Sequence, residues 1–149
     1  MQKKRILIVD DNPDILRMIE LLLMDKYEVI TAPDGMVGLE KVFKYQPDLA
    51  ILDIMMPKMS GYQMVESMKK HKQMQTIPVI FLSAKGTSIE KEFGLKKGAT
   101  IYMTKPFDAV ILQQNVEMLL KFGATEKKER LGIDSVVSDE TAKKNVKWE

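Results

Sequence analysis

Apolar residues fall into five short runs: "RILIV" at 5–9, "YEVITA" at 27–32, "LAIL" at 49–52, "PVIFLSA" at 78–84 and "TIYMT" at 100–104. All but "YEVITA" are nearly continuous, as expected of strands in a parallel sheet covered on both faces. Between the runs, apolar residues recur at helical spacing. The first such stretch opens on Asn12-Pro13, a capping side chain followed by proline at the first helical position. Ile15, Leu16, Ile19, Leu22 and Leu23 then share one face. The second stretch carries Leu39, Val42 and Phe43 and stops before Pro47. The third holds Val65 and Met68, the fourth Ile89 and Phe93, and the fifth Leu112, Val116, Leu119 and Leu120. Strand and helix thus alternate five times, which with right-handed crossovers predicts a doubly wound α/β fold around a parallel sheet.

The pattern fades after Phe122-Gly123. Residues 123–149 are charged, with a small apolar island at Ile133, Val136 and Val137, and are too short for a second domain. They are expected to be a charged tail or a truncated linker. The length of 149 residues suits one domain with a sizeable core. Net charge is +2, and it hides no basic arm: residues 1–122 hold 17 Lys/Arg against 15 Asp/Glu, and residues 123–149 hold six of each. Direct nucleic-acid binding is therefore not expected. The absence of cysteine excludes disulfides and thiolate chemistry. The N-terminal "ILIV" is too short for a signal-peptide core or a membrane span, so the expected location is the cytoplasm, away from membranes.

In a sheet of this kind, ligands bind beyond the carboxyl ends of the strands. Those ends carry Asp10 and Asp11 after the first run, Asp53 after the third, Ser83 after the fourth and Lys105 after the fifth. Three crowded acids repel unless a cation sits among them, and hard oxygen ligands favour a magnesium-type ion. A lysine suits a dianionic group such as a phosphoryl, and a hydroxyl can donate to the same group. Strand-end acids commonly cap the next helix, and Asp11 or Asn12 taken alone would be read that way. Asp53 resists that reading, because it closes a wholly apolar run and precedes "IMMP". The convergence points to a metal plus a phosphoryl group. Pro106 directly follows Lys105 and is expected to turn the chain so that the ammonium enters the crevice.

The motifs "ILIVDDN", "DLAILDIMMPKMSG", "VIFLSA" and "YMTKPF" resemble, in order and spacing, the receiver domains of two-component response regulators. The resemblance covers about residues 4–122, so the receiver domain is drawn at 1–122 with the tail at 123–149. It implies a flavodoxin-like fold of five βα units with strand order 2-1-3-4-5. It implies that Asp53 accepts a phosphoryl group from the phosphohistidine of a sensor histidine kinase or histidine phosphotransfer protein. Asp10, Asp11, Asp53 and the backbone carbonyl of Met55 would hold Mg²⁺, Asp10 through a bound water. Ser83 and Lys105 would hold the phosphoryl oxygens, and Tyr102 would be the switch aromatic, turning from a solvent-facing to a buried position. The Lys105-Pro106 bond is expected to be cis, and Lys105 to serve the phosphoryl group rather than the core. Output is expected through the fourth helix, fifth strand and fifth helix, roughly residues 86–121, toward an unidentified protein target. The fifth helix, "DAVILQQNVEMLLK", has no arginine for the salt-bridged dimer of one DNA-binding subfamily.

On this reading the protein is a switch and not an enzyme, catalysing only its own phosphorylation and dephosphorylation. The alternatives are a magnesium-dependent aspartyl-phosphate hydrolase and a phosphate-independent interaction module. The hydrolase would want an acid two residues after the nucleophile, where Met55 stands; the inert module would lack an acid or the lysine. A calcium loop starting at Asp10 fails because Ile15 and Leu21 occupy its glycine and glutamate positions. No glycine-rich nucleotide loop is present. His71 in "KKHKQ" and the pairs Lys69-Lys70 and Lys96-Lys97 read as solvated helix ends. Met55, Met56 and Met59 read as flexible packing beside the site.

Overall fold

The computed structural model describes residues 2–122. Its elements alternate: β1 (Arg5–Val9), α1 (Pro13–Leu23), β2 (Glu28–Ala32), α2 (Gly35–Tyr45), β3 (Leu49–Asp53), α3 (Gly61–Lys69), β4 (Val79–Ser83), α4 (Ser88–Lys96), β5 (Ile101–Thr104) and α5 (Ala109–Phe122). All strand pairs are parallel, in the order β2-β1-β3-β4-β5, the α/β architecture expected from the sequence. The tail at 123–149 lies outside the described residues.

Alternation along each strand splits the core in two. Leu7, Val9, Ala50, Leu52 and Phe81 face α2 and α3, meeting Val42, Met64, Val65 and Met68. Ile6, Ile8, Ile51, Ile80 and Leu82 face α1 and α5, meeting Ile19, Leu23, Leu112, Val116 and Leu119. Each such aliphatic or aromatic side chain contributes about 1.5–3 kcal/mol by leaving water. The three central strands are buried along almost their whole length, which is why they read as unbroken apolar runs.

The helix signals act as the sequence suggests. Asn12 accepts from the Asp14 amide at 2.9 Å, with Pro13 in the first turn of α1. α2 stops at Tyr45, where Gln46 turns left-handed (φ 47°) ahead of Pro47. Ser60 and Gln63 form a reciprocal capping box at the start of α3.

Two expectations fail. β5 reads as a strand covered on both faces, yet all four of its residues are half-buried, because it is the sheet's edge. In α4, Ile89 and Phe93 were expected on the inner face, but they are 78% and 46% exposed. The residue that α4 buries is Gly94. The helix lies so close to β5 that its contact surface is a glycine, which no apolar periodicity reveals.

Candidate functional site

The sheet gathers the strand-end residues on one edge. Asp10 follows β1, Asp53 ends β3, Ser83 ends β4, and Lys105 follows β5. Asp10, Asp53 and Ser83 are the buried polar residues of the described chain, at 1%, 6% and 1% exposure. Buried polar groups need partners, and these have them. Asp10 Oδ1 accepts from the Asn12 amide at 2.9 Å, and Asp10 Oδ2 accepts from Lys105 Nζ at 2.8 Å. Lys105 Nζ also lies 3.5 Å from Asp53 Oδ1. The Met55 amide donates to that same oxygen at 3.4 Å, and Ser83 Oγ accepts from the Lys85 amide at 3.1 Å. The main chain of Lys105 is itself tied in, its amide donating to the Ser83 carbonyl at 2.7 Å. The Lys105–Pro106 bond is cis.

The electrostatics are unbalanced toward negative charge. Burial, followed by the charge of Asp10, raises the Asp53 carboxyl from 3.8 to about 6. Lys105 and the Met55 amide pull it back, and Asp11 raises it further. For Lys105, burial pulls downward, but its hydrogen bond and attraction to Asp10, with help from Asp53, leave it above 10.5. One ammonium therefore serves two buried carboxylates. In this structure Lys105 thus holds the two acids together.

Carboxylate oxygens of Asp10, Asp11 and Asp53 all lie within 4.8 Å of one another, with Asp11 on the exposed side. Three hard oxygen donors open to solvent on one side fit a small divalent cation that retains several waters, as magnesium does. Met55 follows two residues after Asp53 with its side chain 59% exposed, leaving its backbone as the part that faces this edge. Tyr102 is half-buried and donates through its hydroxyl to the Lys85 carbonyl at 2.7 Å. Its ring rests against Gly94 of α4.

Sequence reasoning missed Gly61. A Cβ there would stand 2.6 Å from the Asp53 carbonyl oxygen and 3.1 Å from Ile54 Cα. Bare backbone at this position lets the start of α3 close onto the end of β3, where the Gly61 amide donates to the Ile54 carbonyl at 3.0 Å. The available signal was "MSGYQ", a capping serine followed by glycine.

Comparison with known proteins agrees with this geometry. The family described as "Response regulator receiver domain" matches residues 6–117. The alkaline phosphatase synthesis transcriptional regulatory protein PhoP of Bacillus subtilis is 38% identical over 119 residues, covering 79% of this chain and 49% of that protein. Hybrid signal transduction histidine kinase D of Dictyostelium discoideum is 40% identical over 118 residues, 79% of this chain but 8% of the kinase. Among solved structures, the chemotaxis response regulator CheY4 of Vibrio cholerae superposes with a TM-score of 0.75 at 32% identity, covering 79% of this chain and 99% of that one. The chain spans about half the length of PhoP and a small part of the hybrid kinase.

Proposed function

The chain belongs to the response regulator receiver domain family, whose role is phosphorylation-activated signalling, and on that premise we propose that Asp53 is the phosphoryl acceptor. The donor is a phosphohistidine on a sensor histidine kinase or a histidine phosphotransfer protein. An Asp53 oxygen attacks phosphorus, the P–N bond breaks, the imidazole departs with a proton, and an acyl phosphate forms. Hydrolysis of that anhydride later resets the protein. The carrying observation is Lys105 Nζ, at 2.8 Å from Asp10 and 3.5 Å from Asp53, supplying a fixed positive charge beside the acceptor.

Asp10, Asp11, Asp53 and the Met55 carbonyl would hold Mg²⁺, which when bound neutralises charge developing on the phosphoryl oxygens. Asp53 must be ionised to attack, and with its carboxyl raised to about 6 it is largely so at neutral pH. Ser83 and Lys105 orient the transferred group. The hydrolase alternative gains no support, since the position two residues beyond Asp53 is the exposed Met55. The inert-module alternative fares no better, with the acids and the lysine in mutual contact.

The signal leaves through α4, β5 and α5. Ser83 accepts from the Lys85 amide, and the Lys85 carbonyl accepts from Tyr102, so a shift of the serine hydroxyl reaches the tyrosine through one residue. Exposed Ile89, Phe93 and Leu95 on α4 offer apolar area to a protein target. No helix among the described residues is long and apolar enough to cross a membrane, and the proposed setting is the cytoplasm, with no direct contact to nucleic acid by this chain. Incubation with Mg²⁺ and a small-molecule phosphodonor should add one phosphoryl mass to the protein and none to Asp53→Asn. Equal labelling of the variant would refute the assignment.

A further inference from the structure

Glycine is a poor helix former, and one inside a helix calls for a packing reason. Gly94 lies in the last turns of α4 and is that helix's buried residue. A Cβ built on it would stand 2.7 Å from Tyr102 Cε2, closer still to Tyr102 Cδ2, and 3.5 Å from Phe81 Cδ2. The tyrosine ring therefore occupies the volume that any side chain at position 94 would need. The ring cannot turn freely out of the way, because its hydroxyl is bonded to the Lys85 carbonyl at 2.7 Å. Nor can the floor yield easily. Phe81 is fully buried and is met edge-on by Tyr62 with centroids 5.3 Å apart, and Tyr62 in turn meets Phe93 at 5.1 Å. A displaced ring has the solvent side as its exit.

We propose that Gly94 is a positioning residue of the switch: by carrying no side chain it forms the socket on α4 that receives the Tyr102 ring, so the size of residue 94 sets where that ring rests. The proposal rests on the reading of Tyr102 as the switch aromatic. It adds that the inward position exists only because α4 is bare at this point. Any larger residue excludes the ring, breaks its bond to Lys85, and uncouples the face from Ser83.

The test is a four-protein cycle: the parent chain, Gly94→Ala, Tyr102→Ala and the double variant. Thermal midpoints come first. With Tyr102 present, Gly94→Ala should lower the midpoint through the clash. In the Tyr102→Ala background it should raise the midpoint, because alanine favours the helix and nothing opposes it. A change of the same sign in both backgrounds overturns the socket. The reversal is readable even if Gly94→Ala alone melts early, since the double variant relieves the overlap. Affinity for beryllofluoride with Mg²⁺, read by tryptophan-independent calorimetry, comes second. Gly94→Ala should weaken it by roughly tenfold with Tyr102 present and leave it unchanged without. If Tyr102→Ala alters the affinity and Gly94→Ala does not, the positioning role falls and the switch reading stands. If neither alters it, the switch reading itself falls, and the proposal with it.

Discussion

Asp53 holds its charge in a setting that resists ionisation, so removing the charge should stabilise the metal-free protein. Burial, then Asp10, raises its carboxyl to about 6 in the folded chain, from the ordinary 3.8. Between those values the folded state binds more protons than the unfolded one, so this group's contribution to stability falls as pH rises through the window. Above pH 6 the folded state is disfavoured by about 3 kcal/mol relative to acid. Asp53→Asn keeps the shape and deletes the charge. Allowing for relaxation around the unpaired amide, a gain of about 2 kcal/mol at pH 7.5 is expected, or about 8 °C in Tm for a domain this size. At pH 4.5 the electrostatic part should shrink to about 1 kcal/mol, because the folded carboxyl is then mostly protonated, and the relaxation cost offsets it, so variant and parent should melt nearly together. Saturating Mg²⁺ should raise the parent and leave the variant nearly unmoved. Melts in EDTA and in Mg²⁺ at both pH values decide the matter. An Asn variant that melts below the parent at pH 7.5 in EDTA would mean that Lys105 more than compensates burial, against the balance drawn above.

The other expectations follow from the same contacts. Lys105→Ala should lower stability at pH 7.5, because Asp10 and Asp53 lose their shared cation, and should regain part of it at pH 5; a pH-independent loss would assign the effect to packing. Asp11→Ala should weaken Mg²⁺ affinity by about 10- to 100-fold in a calorimetric titration while leaving the fold intact, since its side is exposed; unchanged affinity would remove it from the metal site. Gly61→Ala should cost about 1–3 kcal/mol in chemical denaturation, as the methyl must displace the end of β3; a neutral result would show that the α3 junction gives way freely.

The sheet and the cluster at its strand ends were legible because both depend on local text. A strand buried on two faces must be written almost wholly in apolar letters, so an acid closing one, as Asp53 does, stands out. Once the parallel order was inferred, Asp10, Ser83 and Lys105 had to reach the same edge. Asn12-Pro13 marked a helix start for equally local reasons. What escaped is set by distant neighbours. Whether β5 is central or at an edge depends on what pairs beyond it, and Ile101 to Thr104 say nothing of that. Ile89 and Phe93 keep a helical spacing and still face outward, because α4 meets the sheet through Gly94. A glycine that admits a ring or a carbonyl is written the same way as one that merely turns the chain. The contact of Lys105 with Asp10 is hidden from local reading for a similar reason: it spans 95 positions of sequence.

The two outer strands bear on how this protein avoids sticking to itself. An open edge is a row of unbonded amides and carbonyls, ready to template a foreign strand. At β2, Glu28 donates inward to the Lys4 carbonyl and Ala32 accepts from Asp10, so the alternate residue Thr31 points its carbonyl outward. Lys41 reaches across and caps that carbonyl at 2.6 Å. At the opposite margin β5 is four residues long and runs directly into Lys105-Pro106. A capped carbonyl at one margin and a short strand ending in Lys105-Pro106 at the other both limit strand addition. Association through the apolar side chains exposed on α4 would be built from side-chain fit instead, which can be selective.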